Sequence, residues 1–356
     1  MMFNTDKLWE KISVFSDAAL IFSMENRRYF TQFPSSDGAL LVYGGKALFF
    51  TDSRYTEAAA KCIGEDKVID SSNLYEKLKE IFSVNGVKRI AVENDKLTLA
   101  EFDNLKEKLP EFEFVTSSAL STAIEEIRIV KEASEVTKIK AAQKIAEDAF
   151  SHILTFIKEG MTEKEISLEL DFYMLSHGAE AVSFETIAVA GKNSSMPHGV
   201  PGEYKIQKGD FITMDFGATV DGYHSDMTRT VCVGEPSEKQ KEVYETVLKA
   251  QNAALDVLHD GITGVEADKI ARDIIENAGY GKNFGHGLGH GVGVEIHEAP
   301  NLSPRASHTL KEGHVVTVEP GIYLPGEFGV RIEDMAIITK DGCINLTNCP
   351  KELIIL

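Results

Sequence analysis

Between Ala18 and about Ser118, short apolar runs (AALIF, ALLVYG, KALFFTD, RIAVE, FEFVTS) alternate with charged stretches such as Leu74 to Phe82 and Thr98 to Leu109. Short apolar runs read as strands, and the longer stretches with apolar residues at helical spacing read as helices, so this region is expected to form a small α/β domain. From Thr122 to Gly160 the pattern changes. Strong helix formers there carry Ile124, Ile127, Val130, Val136, Ile139, Ala142 and Ile145 on a helical period. A long helix is expected, with the domain boundary near its start, which divides the chain into 1–122 and 123–356.

The second half contains an internal echo. Gly160, Thr162, Glu165 and Gly178 recur at one constant offset as Gly261, Thr263, Glu266 and Gly279, each set reading as a turn that enters an amphipathic helix. At nearly the same offset, GDFITMDFG from Gly209 aligns with GHVVTVEPG from Gly313, which equates Thr213 with Thr317 and Asp215 with Glu319. Two matches in the same order point to a duplicated unit of helices followed by antiparallel strands, related by a pseudo-twofold axis. The expected fold class is therefore α+β, with the repeat in the C-terminal domain.

Composition narrows the partners. The 356 residues include 37 Lys plus Arg against 56 Asp plus Glu, a formal charge of -19 that repels phosphate backbones and anionic lipid surfaces. Nucleic acid and membrane partners are not expected. Cys62, Cys232, Cys343 and Cys349 are scattered without CxxC spacing, which fits a reducing cytoplasm. MMFNTDKLWEKISVF lacks the apolar run of a signal peptide, and no segment reaches about 18 uninterrupted apolar residues.

Candidate chemistry lies in the repeat. Asp215 follows FITM and Glu319 follows VVTV, so each places an acid in an otherwise apolar strand, where an unpaired charge would cost several kcal/mol. Asp221-Gly222 is a two-residue hairpin signal that pairs Val220 with Tyr223, sets Thr228 opposite Asp215 and leaves Asp226 diagonal to it on the same face. Glu333 follows Glu319 by about one hairpin, and a pseudo-twofold axis brings all four acids to one place. Two divalent cations would balance them. The segment GHGLGHGVG supplies His286 and His290 among glycines that let the backbone approach a crowded centre, and its composition predicts a loop or strand. Carboxylates with an imidazole suit Mn, Co, Zn or Fe. Other chemistries lack their parts, because the chain has no GxSxG elbow, Walker A run or cysteine nucleophile signature.

At these residues the sequence resembles the pita-bread metallopeptidases, in the branch of Xaa-Pro aminopeptidases and prolidases. The likeness is carried by PHG from Pro197, MDFGATVDGYHSDMTRT from Met214, GHGLGHGVG from Gly285, HEAP from His297, VEPGIY from Val318 and VRIEDM from Val330. FFTDSRYTEAA from Phe49 extends it to the N-terminal domain of that branch, which the resemblance implies is ribonuclease H-like.

The resemblance implies that Asp215 binds one metal, His290 and Glu319 the other, and that Asp226 and Glu333 bridge the pair, most often manganese. It implies that His198 and His297 flank the substrate, that His297 stabilises the tetrahedral intermediate, and that Glu319 shuttles the proton to the leaving nitrogen. Tyr323 and Arg331 support the substrate site, and His286 lines the pocket near proline. Further implications are a homodimer and cleavage of the Xaa-Pro bond at the N-terminus of proline-containing peptides by a metal-bridging hydroxide. The alternatives are a strict Xaa-Pro dipeptidase, a catalytically inactive pita-bread binding module and a metal-free creatinase-like amidinohydrolase. The full set of five ligands disfavours the last two.

Overall fold

In the computed structural model, which describes residues 2–356, the alternating pattern of the first third becomes one mixed sheet. Its elements are α1 (Thr5–Ile12), β1 (Ala18–Ile21), α2 (Met24–Thr31), β2 (Ala39–Tyr43), β3 (Lys46–Thr51), α3 (Thr56–Ile63), β4 (Val68–Asp70), α4 (Leu74–Asn85), β5 (Arg89–Val92), α5 (Leu99–Lys108), β6 (Glu113–Val115) and α6 (Ala119–Arg128). The six strands run in the order β4-β3-β2-β1-β5-β6. Every apolar run singled out in the sequence is a strand. Leu20, Leu41, Phe50, Leu78, Phe82 and Ile90 bury one core beneath the sheet.

This first compact unit ends at Arg128 and the second runs Ile129–Leu356. The division expected at 122/123 falls inside α6, which packs on α1 and β5 and so belongs with the first sheet. Nor is the stretch from Thr122 to Gly160 one helix, because it breaks between α6 and α7 (Ala133–Phe156). The Lys131 N–H donates to Gly313 O at 2.8 Å instead of to a helical carbonyl, and Glu132 starts α7 with a capping box completed by Glu135. Val130 therefore lies in the break and not on a helical face.

The second unit continues with α8 (Glu163–Ser176), β7 (Ala181–Val182), β8 (Ile187–Ala190), β9 (Phe211–Phe216), β10 (Ala218–Val220), β11 (Tyr223–His224) and β12 (Met227–Cys232). Then follow α9 (Glu238–Val257), α10 (Gly264–Asn277), β13 (Gly289–Gly291), β14 (Glu298–Leu302), β15 (Val315–Val318), β16 (Gly321–Leu324), β17 (Phe328–Arg331), β18 (Asp334–Thr339) and β19 (Gly342–Asn345). The internal echo is structural. Thr162 caps α8 and Thr263 caps α10, each in a reciprocal capping box with the Glu three residues on, and both helices have 14 residues. Gly209 and Gly313 each turn with φ of 88° before the acid-bearing strands. Those strands pair antiparallel, β8 with β9 and β9 with β12 in one repeat, β13 with β15 and β15 with β18 in the other. Among the described residues no helix is long and apolar enough to cross a membrane, and all four cysteines are free.

His314, at the entry to β15, couples this unit to pH. Burial, aided by Lys131, His308 and Lys311 and opposed by Asp260, lowers its imidazole to about 4 from 6.5, and its Nδ1 accepts from the Lys311 N–H at 3.2 Å. As pH falls from 6.5 towards 4, the unfolded chain takes up a proton that the folded chain refuses, so stability falls across that window. A His314→Asn variant should show a shallower acid loss between pH 6.5 and 4 in denaturant titrations. Equal slopes for the two proteins would contradict this.

Candidate metal centre

The first two acids are placed by the hairpin read from Asp221-Gly222. Both residues have positive φ, 48° and 81°, and Val220 pairs with Tyr223 as the turn requires. The register continues past Gly217, so that Thr228 faces Asp215 across β9 and β12. Only glycine fits at 217, because a Cβ there would lie 1.9 Å from Ser225 O. Asp226 immediately precedes β12.

The second pair sits where the chain leaves one sheet for another. Glu319 lies between β15 and β16, and Glu333 between β17 and β18. Val318 pairs with Asp334 on one side of these gaps and Gly321 with Arg331 on the other, so the two glutamates fall at facing breaks. Their N–H groups bond elsewhere, Glu319 to Leu288 O at 2.8 Å and Glu333 to Thr228 O at 3.1 Å.

His290 arrives on β13. Glycines flank it because nothing else fits: a Cβ at Gly289 would lie 2.0 Å from Thr317 O, and one at Gly291 would lie 2.2 Å from Ala299 O. The ring's Nδ1 faces Gly291 O at 3.0 Å, an acceptor, which fixes the proton on Nδ1 and leaves the Nε2 lone pair free. That nitrogen stands 3.5 Å from both Asp226 Oδ2 and Glu319 Oε1. Burial lowers the imidazole to about 4, so its Nε2 faces the two carboxyl groups as an unprotonated acceptor.

Electrostatics make the cluster unstable alone. Burial, then repulsion from Glu333, Asp215 and Glu319, raises Asp226 well above the carboxylate range. Burial, then Glu319 and Asp215, does the same to Glu333. Burial raises Glu319 to about 8, with Asp215 adding to the rise and Arg331 opposing it. One Asp215 oxygen accepts from Arg331 Nη2 at 2.6 Å, while its Oδ1 is buried with no hydrogen-bond partner among the described residues. An acceptor left in that state costs about 1–3 kcal/mol. Ligand atoms of Asp226, His290 and Glu333 lie within 4.8 Å of one another. An orphaned carboxylate oxygen, a bare imidazole lone pair and crowded acids form a donor set that fits divalent cations.

The acids open onto a cavity of about 840 Å³, lined also by His198, His286, His290, His297 and Arg331. The His297 ring meets that of His290 edge-on with centroids 4.4 Å apart. Tyr323 is not part of that lining. Its hydroxyl accepts from Arg331 Nη1 at 2.7 Å and lies 2.9 Å from His286 Nε2, so it braces those two side chains from behind. Gly287 O fixes the His286 proton on Nδ1, which makes Nε2 the acceptor of the tyrosine proton.

Several contributors escaped the sequence reading. Thr228 Oγ1 donates to Glu333 Oε2 at 2.7 Å, and the Thr317 hydroxyl accepts from the His290 N–H at 3.1 Å. The equivalence of Thr213 and Thr317 in the repeat was the available signal for the second. Phe184, Val200 and Arg305, on loops with no local signature, and Ile187, at the start of β8, also line the cavity.

A twice-repeated frame that converges four acids and one imidazole from strands and strand ends of both halves is that of a metal-dependent hydrolase with the pita-bread fold. Residues 137–340 match the metallopeptidase family M24 and residues 14–130 match the creatinase/prolidase N-terminal domain, so the chain belongs to metallopeptidase family M24. It is 44% identical to the uncharacterized peptidase YqhT of Bacillus subtilis (strain 168), over 96% of each chain. The structure of an Xaa-Pro dipeptidase from Bacillus anthracis is similar at 42% identity and a TM-score of 0.94, covering 99% of each chain. The crystal structure of an X-Pro aminopeptidase from Thermotoga maritima MSB8 is similar at 38% identity and a TM-score of 0.91, covering 100% of each.

Proposed function

We propose that this chain is a dinuclear metallo-exopeptidase that hydrolyses the Xaa-Pro bond at the N-terminus of peptides, with Asp215, Asp226, His290, Glu319 and Glu333 as ligands of two manganese ions. The observation that carries the reading is the orphaned Oδ1 of Asp215 in a cavity where the unprotonated Nε2 of His290 stands 3.5 Å from Asp226 Oδ2 among buried acids. The similar solved structures supply the bond, one being of an Xaa-Pro dipeptidase and another of an X-Pro aminopeptidase. The four free cysteines support a reducing, cytoplasmic setting.

When bound, divalent cations lower the pKa of water towards neutrality and polarise a carbonyl. The chain's own residues do the rest. His297 and His198 stand at the cavity wall as N–H donors to an oxyanion, and Glu319 carries a proton to the leaving proline nitrogen. Arg331 fixes the orientation of Asp215, and Tyr323 holds Arg331 and His286 in register. Proline suits such a dedicated site because its tertiary amide has no N–H and restricts the residue before it.

Protein stripped with chelator and reloaded with Mn²⁺ should release the first residue from Xaa-Pro-Xaa peptides at least as fast as it splits Xaa-Pro. Turnover of the dipeptide alone would make it a strict dipeptidase, and turnover of neither would refute the reading. His297→Ala should lower kcat by about 10²–10³-fold, the usual cost of a lost oxyanion donor.

A further inference from the structure

We propose that Arg229 is a positioning residue for the metal centre, holding the main chain of Glu333 from the face of the sheet opposite the cavity. The inference rests on the metallopeptidase reading above.

Glu333 lies in the gap between β17 and β18, where neither ladder supplies it with partners. Two adjacent residues of the other repeat hold it instead. Thr228 accepts the Glu333 N–H through its carbonyl at 3.1 Å and donates its hydroxyl to Glu333 Oε2 at 2.7 Å. Arg229, pointing to the other face as strand alternation requires, donates Nη1 to Glu333 O at 2.6 Å and to Thr228 O at 2.9 Å. The N–H, carbonyl and carboxylate of one ligand are thus fixed by a single dipeptide across the pseudo-twofold axis.

The guanidinium is itself fixed. Nη2 donates to Asp334 Oδ1 at 2.7 Å and to Cys349 O at 3.0 Å, and Nε donates to Pro350 O at 2.8 Å. Asp334 Oδ2 is gripped by Gln251 at 3.0 Å and Asn345 at 2.7 Å, with Lys351 Nζ at 3.1 Å. Arg229 is 1% exposed and Asp334 is 0% exposed. So complete a set of bonds on a planar fork leaves a swing of Glu333 no room, whereas an ammonium could reach only part of it.

The test is calorimetric Mn²⁺ titration of chelator-stripped wild type, Arg229→Gln and Arg229→Lys at a temperature where circular dichroism shows all three folded. Arg229→Gln should bind Mn²⁺ about 10–100-fold more weakly, the usual cost of losing a group that orients a ligand, and Arg229→Lys should fall between. Activity at limiting Mn²⁺ should drop through kcat with KM unchanged, and excess Mn²⁺ should restore it. A role confined to anchoring Cys349 and Pro350 would lower the melting temperature and leave metal affinity alone. Should Arg229→Gln not fold, Arg229→Lys decides, since it keeps a cation beside Asp334. Wild-type affinity in the folded variants overturns the role of Arg229 alone, while a wild type that binds no Mn²⁺ overturns the metallopeptidase reading beneath it.

Discussion

Asp226→Asn is expected to give a protein that melts higher than wild type without metal and loses peptidase activity by about 10³-fold or more with it. Both effects have one cause. The wild-type carboxyl is buried against Glu333, Asp215 and Glu319, which resist its ionisation, and a neutral amide of the same shape removes that repulsion. In a unit of this size each 1 kcal/mol gained shifts Tm by about 2–4 °C. The same change takes away the charge that draws cations in, and a 10³-fold loss corresponds to about 4 kcal/mol of transition-state stabilisation. Added Mn²⁺ should therefore raise the Tm of wild type and leave that of the variant nearly unchanged. Paired melting curves with and without Mn²⁺ check both halves, and a variant whose metal-free Tm falls would contradict the electrostatic account.

Arg331→Met should be the most destabilising single change at the site. The guanidinium donates to Asp215 Oδ2 at 2.6 Å, Tyr323 Oη at 2.7 Å, Thr228 Oγ1 at 3.0 Å and Pro197 O at 3.3 Å. Asp215 Oδ1 already lacks a partner, so loss of Arg331 leaves the whole carboxylate buried without a donor. Breaking a buried pair in this way costs about 3–5 kcal/mol. Urea unfolding of the metal-free protein measures it. A loss below about 1 kcal/mol would mean that Asp215 finds another donor.

The legible features were those fixed by local chemistry. Asp221-Gly222 demanded two positive φ angles, and from that turn the register set Thr228 against Asp215 without any long-range information. The glycines around His290 signalled close backbone approach, and the paired capping boxes at Thr162 and Thr263 signalled the repeat. What stayed hidden depends on distant partners. The helix ends at Arg128 because the Lys131 N–H finds Gly313 O, and no propensity in the stretch from Thr122 to Gly160 records that bond. Tyr323 braces the cavity wall from behind because its hydroxyl is taken by Arg331 and His286, a matter of side-chain direction that a motif does not specify. Arg229 sits inside MTRT with no local signal of its own, since its partners are carbonyls far along the chain.

Crystals of the metal-stripped protein soaked in Mn²⁺ test the central claim most directly through anomalous scattering. The account predicts two peaks per chain, enclosed by Asp215, Asp226, His290, Glu319 and Glu333, both lost on soaking in chelator. Peaks confined to surface carboxylates, with those five side chains unchanged around an empty centre, would contradict it.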